Sequence, residues 1–366
     1  MTTQDALTDV PGLRVGHAQR TGNDQPGWLS GTTVVLAPEG GAVAGVDSRG
    51  GAPGTRETDA LDPRNVVERI HAVVLTGGSA FGLDCVAGVM GWLEEHGRGV
   101  LVGRDPAQVV PVVPAAVLFD LGRGGDWRAR PDASLGREAV EAAGRSEAGA
   151  PVPQGNVGAG TGAVVGGLKG GIGSASTVLP SGVTVGALAA VNAAGSALDP
   201  DTGVLYGEMW EGHAPWLPGA AAHDEARRRL AQAQQETGAR SAGVLRPPFN
   251  TTLAVVATDA ALTRPQAQKL AGTAHDGLAR GVRPVHLMHD GDTVFALSTG
   301  ERPLAGTELN DVLAAGADVL TRAVVKAVLA AESVDGPGGV FPSFRDLYGR
   351  PPSDPTATDA DSTGSD

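Results

Sequence analysis

Asn250 and Thr251 form a pair whose types and order could do chemistry on the chain itself. They stand in Pro247-Pro248-Phe249-Asn250-Thr251-Thr252-Leu253-Ala254-Val255-Val256-Ala257-Thr258, a stiff approach followed by an apolar, β-prone run. If Thr251 Oγ attacks the Asn250 carbonyl, the peptide becomes an ester, and water then opens it. Thr251 is left as a new N-terminus carrying a hydroxyl and a free amine. An α-amino group titrates near ~7.7–8.0 and so supplies a built-in general base. The Pro-Pro pair disfavours helix before the junction, and Thr252 to Thr258 reads as a buried strand that would hold Thr251 rigidly at its end. Taken alone, Asn-Thr-Thr also fits an ordinary loop-to-strand junction or a glycosylation acceptor.

Other stretches offer polar groups in apolar or glycine-rich settings. Lys169 is a lone lysine in the glycine-dense tract from Gly155 to Ser176, either an exposed turn residue or a cation held near a reacting centre. Asn192 ends the strand-like run Val183 to Asn192, either capping the turn that follows or donating its amide inside a site. Asp290-Gly291-Asp292 begins a strand after a turn; a calcium loop would need several more oxygen ligands. The loop Ser48 to Thr58 carries Arg49 and Arg56, read as surface ion pairs or as the wall of a site. Thr76-Gly77-Gly78-Ser79-Ala80-Phe81-Gly82 follows a buried strand and opens a helix, as phosphate loops do, but it has neither a Gly-Lys-Ser/Thr ending nor G-x-G-x-x-G. Ser79 lacks the second glycine of a nucleophile elbow, because Phe81 stands there.

The elements that must position these groups can be read in outline. Short strands are expected at Leu13 to His17, Thr32 to Leu36, Ala42 to Val46 and His71 to Leu75, with a helix start at Asp62-Pro63 and a helix running to about His96. Val109 to Leu121, broken by Pro111 and Pro114, reads as an edge or irregular strand. Helices are expected at Ala133 to Ala143, Ala221 to Thr237, Arg264 to Arg280 and Thr307 to Ala331. The segment from Asp199 to Ser241 loosens as it approaches the junction, and the Pro/Ser/Thr/Asp-rich end from Tyr348 onward reads as disordered.

Whole-chain properties narrow the class. The 366 residues include 55 Gly, 25 Pro and 41% hydrophobic residues, enough for a substantial core with many tight turns. A net charge of −13 argues against nucleic acid or an anionic membrane as partner and favours small molecules. The first ten residues lack a basic n-region and an apolar core, no apolar run reaches ~18 residues, and a cytoplasmic protein is expected. Cys85 is the single cysteine, which excludes an internal disulfide and a cysteine-cluster metal site; its apolar helical setting marks a buried structural thiol. No metal or cofactor is expected.

With these motifs in order, the chain resembles the L-aminopeptidase/D-esterase family, which includes the β-peptidyl aminopeptidases and the nylon-oligomer hydrolases. The resemblance runs from about Leu7 to Ala331. It rests on RGGAPGTRET (Arg49 to Thr58), LTGGSAFGLD (Leu75 to Asp84), GNVGAGTGA with LKGGIGSAS (Gly155 to Ser176), VNAAG (Val191 to Gly195), FNTT (Phe249 to Thr252) and DGDTVFALSTG (Asp290 to Gly300). It implies an α+β, four-layer αββα sandwich similar to the N-terminal nucleophile hydrolases but with different connectivity. It also implies a precursor cut into fragments 1–250 and 251–366 that stay together, assembled as a homotetramer of processed pairs. By the same resemblance Thr251 is the nucleophile and its amine the base. Asn192 donates to the oxyanion, Lys169 is the nearby cation, and Asp290 and Asp292 orient the amine and hydroxyl, as in the nylon-oligomer hydrolases. The acid and the tyrosine that aminopeptidase members use find no matching stretch; Tyr206 and Tyr348 lie elsewhere. The activity implied is hydrolysis of a small peptide or linear amide through an acyl-enzyme. An acyltransferase like the ornithine acetyltransferases and a non-cleaving small-molecule-binding protein remain the alternatives.

Overall fold

Long apolar runs with no polar alternation belong to strands buried on both faces, and this chain stacks two such sheets. The computed structural model describes residues 3–240 and 249–349. The first sheet runs, in spatial order, Arg14–Thr21, Leu29–Leu36, Ala72–Thr76, Ala115–Val117 and Thr55–Arg56. The second runs Ile172–Val178, Thr184–Ala190, Leu253–Ala260, Thr293–Arg302 and Val43–Ser48. Val35, Val73, Leu75 and Ala116 of the first sheet meet Leu188, Val255, Phe295 and Leu297 of the second in one buried layer. Residues one step along each strand face outward: Val34, Val74 and Ala115 on one side, Ala254, Val256 and Ala296 on the other.

Helices α1 (Cys85–Glu95) and α2 (Ala133–Arg145) cover the outer face of the first sheet. Helix α3 (Ala220–Arg240) contributes Ala226 to the core on the far side, where α4 (Arg264–Gly281) and α5 (Glu308–Ala330) cover the second sheet. Local chemistry sets these helices. The Asp132 carboxylate accepts the Leu135 N–H at the start of α2, and Thr263 with Gln266 forms a capping box ahead of Pro265 at the start of α4. Gly173 seats α5, because a Cβ there would strike the carbonyl of Ala323.

The strands and helices expected from the sequence are found with three differences, while Ile172–Val178, Thr55–Arg56 and Val100–Leu101 are strands it did not mark. No helix follows Asp62-Pro63; the Asp62 carboxylate accepts from the Arg64 N–H and side chain and closes a turn instead. Val109 to Leu121 divides into Val109–Val110, paired with Val100–Leu101, and Ala115–Val117, which lies inside the first sheet rather than at its edge. Pro111 and Pro114 lie between these two strands, where no ladder N–H is needed. Tyr348 is no part of a loose tail: it ends helix α6 (Phe344–Tyr348), and its hydroxyl bonds His223 Nδ1 at 2.9 Å. Residues 350–366 lie outside the described residues, as do 241–248 of the approach to Asn250. Cys85 is buried as expected, and burial pushes its thiol up to about 11. Among the described residues no helix is long and apolar enough to cross a membrane.

Candidate active site

Three strand ends bring the site together. Leu253–Ala260 and Thr293–Arg302 pair in parallel, joined through α4, with Leu253 opposite Thr293. Both strands therefore start at the same edge of the sheet, and Thr251 and Thr252 stand beside Gly291 and Asp292. Thr184–Ala190 runs antiparallel on the other side, with Ala190 opposite Leu253, so its exit carries Asn192 to the same edge. The Arg49–Gly54 loop leaves the neighbouring Val43–Ser48 strand and brackets the Asp290-Gly291-Asp292 turn through Arg49 N–H to Asp292 O (3.0 Å) and Ala52 N–H to Asp290 O (2.9 Å). Its arginines point away from this chemistry. Arg49 pairs with Asp47 and Asp276, and Arg56 lies beside Glu57 and Met90, so the loop serves the site through its backbone.

Thr251, only 5% exposed, lies against the bond that precedes it. Its Oγ1–H donates to the Asn250 carbonyl oxygen at 2.6 Å. The Gly291 N–H is shared between that same carbonyl oxygen (3.1 Å) and Thr251 Oγ1 (3.1 Å). Attack by Oγ1 on the Asn250 carbonyl carbon would put negative charge on an oxygen that already has this donor. Space here is limited: a Cβ at Gly291 would lie 2.7 Å from Thr251 Oγ1. The Thr251 N–H donates to the main-chain carbonyl of Asn192 at 2.7 Å, an acceptor that would equally hold the amine freed by cleavage.

The two acids hold the surrounding main chain. Asp292 is buried and accepts the Thr252 N–H through Oδ1 (2.8 Å), and His286 Nδ1 (2.8 Å) and N–H (3.2 Å) through Oδ2. Asp290 Oδ2 accepts the Leu287 N–H at 3.0 Å. Burial, and then the charge of Asp292, push the Asp290 carboxyl above the ordinary carboxylate range. In this chain the acidic pair meets Thr252 and the loop before the turn, and the contact on the Thr251 hydroxyl comes from the glycine between them.

Asn192 meets Thr251 through its main-chain carbonyl, and its side-chain amide is engaged with other groups. The side-chain Oδ1 accepts from Arg123 Nη1 (2.5 Å) and the Val164 N–H (3.0 Å), and Nδ2 donates to the Phe119 carbonyl (3.3 Å). Lys169 is fully buried, and its three donors reach the carbonyls of Gly160 (2.9 Å), Ala163 (3.0 Å) and Gly170 (2.7 Å). Burial and then the charge of Arg123 hold its ammonium well below the usual lysine range. It ties the folded glycine tract together, and Ala163 leads directly to the Val164 N–H that fixes Asn192.

Arg123 was not singled out from the sequence. It sits in Gly122-Arg123-Gly124-Gly125, a lone cation among glycines after a buried run, the same signal that marked Lys169. Its guanidinium reaches Gly162 O (2.6 Å), Asn192 Oδ1 and, through Nη2, Asn250 Oδ1 (2.9 Å). A cavity of about 250 Å³ opens on Thr251, walled by Ala52, Pro53, Gly54, Phe119 and Phe249. A second, of about 380 Å³, is lined by Asn250 together with Arg123, Val164 and Ala194.

Two stacked sheets between two helical layers are the plan of a variant N-terminal nucleophile hydrolase fold. Two solved structures share it. The L-aminopeptidase D-Ala-esterase/amidase of Ochrobactrum anthropi aligns with a TM-score of 0.70 at 23% identity, covering 95% of each chain. A Burkholderia sp. β-aminopeptidase aligns at 0.68 and 22%, covering 94% of this chain and 93% of the other. The chain belongs to peptidase family S58, whose model matches residues 5–341, and it is a hydrolase of peptide or amide bonds. An uncharacterized aminopeptidase of Mycobacterium tuberculosis is 48% identical over 361 residues, 94% of this chain and 98% of the relative. The 6-aminohexanoate-oligomer endohydrolase of Kocuria sp. is 30% identical over 305 residues, 82% of this chain and 76% of the relative.

Proposed function

We propose that this chain is a self-processing amide hydrolase whose nucleophile is Thr251, made N-terminal by cleavage after Asn250. The observation that carries the reading is the contact of Thr251 Oγ1 with the Asn250 carbonyl oxygen, with the Gly291 N–H shared between the two (3.1 Å to each). In the first step Oγ1 adds to the Asn250 carbonyl carbon and loses its proton. The C–N bond then breaks, the nitrogen takes a proton, and an ester joins the two segments. Water cleaves the ester, giving a carboxylate at Asn250 and a free amine at Thr251. The fragments 1–250 and 251–366 remain one folded body.

In hydrolysis the neutral Thr251 amine, held at the Asn192 carbonyl, takes the proton from Oγ1 as the hydroxyl attacks a substrate amide. The same proton passes to the leaving amine, an acyl ester remains, and water releases it by the same shuttle. Asp292 keeps Thr251 in place through the Thr252 N–H, and the Gly291 N–H faces the developing oxyanion. The names of the relatives point to amino-terminal residues and to 6-aminohexanoate oligomers as substrate types, and both are linear amides that a Thr251 acyl-enzyme would process.

Intact mass under denaturing conditions tests the proposal. The wild type is expected to give two fragments, the smaller beginning at Thr251, and Thr251→Ala one uncut chain with amide hydrolysis at background. A wild-type chain that stays whole for days yet hydrolyses amides would remove the freed amine from the mechanism.

A further inference from the structure

Self-cleavage needs one peptide bond to be chosen and its carbonyl presented to Thr251 in a fixed attitude. Three of the contacts on Asn250 bear on how it is presented. Its carbonyl meets the Gly291 N–H (3.1 Å), its N–H meets the His289 carbonyl (3.3 Å), and its side-chain Oδ1 meets Arg123 Nη2 at 2.9 Å. The first two contacts are main chain and would be made by almost any residue. The third reads the side chain. Arg123 is 9% exposed, and its own position is fixed by Gly162 O and Asn192 Oδ1 on the other guanidinium nitrogen. A planar fork anchored through Nη1 aims its Nη2 donors in set directions, and the one facing Asn250 bonds only an acceptor there.

Resting on the reading of Thr251 as self-cleaving nucleophile, we infer that Arg123 is the positioning residue for processing: it recognises the side-chain carbonyl of Asn250 and thereby turns the Asn250 carbonyl toward Thr251 Oγ1. The requirement at position 250 is then a carbonyl or carboxylate oxygen at the reach of an asparagine side chain, and size alone does not meet it. Aspartate satisfies it with a charge-assisted bond, and leucine, of similar shape, does not.

The fraction of chain cut with time, read by denaturing mass from freshly made protein, separates these cases. Asn250→Asp is expected to cut within a few-fold of wild type, and Asn250→Leu to slow by roughly 10- to 100-fold, the range for losing a hydrogen bond to a charged group. Arg123→Met should slow to a similar extent and Arg123→Lys should recover part of the rate. Arg123→Met combined with Asn250→Leu should be no slower than Arg123→Met alone, because the contact that Asn250→Leu removes is already gone with the arginine. The Asn250 variants leave Arg123 on Gly162 and Asn192, so a fold disturbed by losing the arginine does not confuse the result. If the wild type cuts before Thr251 but Asn250→Leu cuts equally fast, or if the double variant multiplies the two losses, the role of Arg123 is wrong and the nucleophile stands. If the wild type never cuts, both fall together.

Discussion

The Gly291 N–H meets both the hydroxyl that would attack and the carbonyl that would be attacked, and the absence of a side chain leaves room for them. A methyl group there would stand 2.7 Å from Thr251 Oγ1 and 2.8 Å from the Ala52 carbonyl, so one of them must move. Gly291→Ala is therefore expected to slow self-cleavage by about tenfold or more with the fold intact, short of the ~10²–10³ seen when an oxyanion donor is removed outright. Rates of fragment appearance beside near-UV circular dichroism check this, and unchanged processing would mean the N–H is not used. Thr251 and Asn250 stand out in the sequence because hydroxyl and amide chemistry belongs to residue type, whereas the two acids read as an ordinary turn until the ordered motifs are set beside a family. The Gly291 N–H and the Asn192 carbonyl were not legible, because every residue carries the same main-chain groups and only the fold aims them. Arg123 was hidden for another reason: its partners Gly162, Asn192 and Asn250 come from three separate stretches of chain.

At the scale of elements, burial on both faces made the strands readable as apolar runs, while their neighbours were not written in any one of them. The parallel partnership of Leu253–Ala260 with Thr293–Arg302 decides the site, and it depends on α4 crossing between them. The turn at Asp62-Pro63 shows the converse, where a local start signal lacked an apolar face to pack and no helix followed. The first strand carries a group with a measurable consequence. His17 Nδ1 bonds Thr33 Oγ1 across the Arg14–Thr21 and Leu29–Leu36 pair at 2.9 Å, and burial pushes its imidazole down to about 4. The folded state thus binds fewer protons than the unfolded chain between pH ~6.5 and 4. Its contribution to stability is complete above pH ~6.5 and is lost as pH falls toward 4. Urea midpoints are expected to decline over that window, and His17→Gln, which keeps a polar group beside Thr33, should decline less steeply. Parallel slopes for the two proteins would place the acid sensitivity elsewhere.

At the scale of the molecule, the four-layer plan followed from the resemblance of several ordered motifs, since periodicity alone does not say which sheet lies on which. The order within the second sheet matters most. Leu253–Ala260 and Thr293–Arg302 lie side by side, with Thr184–Ala190 and then Ile172–Val178 on one side and Val43–Ser48 on the other. A cut before Thr251 would leave the two strands that the smaller fragment gives to this sheet clasped between strands of the larger, so the native body would survive its own scission. The way back would not. An uncut chain finds its partners by loop closure, whereas a processed one, once unfolded, is two molecules that must meet in solution. Refolding of the cut protein should accelerate with protein concentration and that of Thr251→Ala should not, a contrast visible in dilution from urea. A concentration-independent rate for the cut protein would show that the fragments never separate. A single broken peptide bond would turn folding from a property of one chain into an encounter, performed once while the chain is whole and thereafter preserved by slow unfolding rather than by ready return.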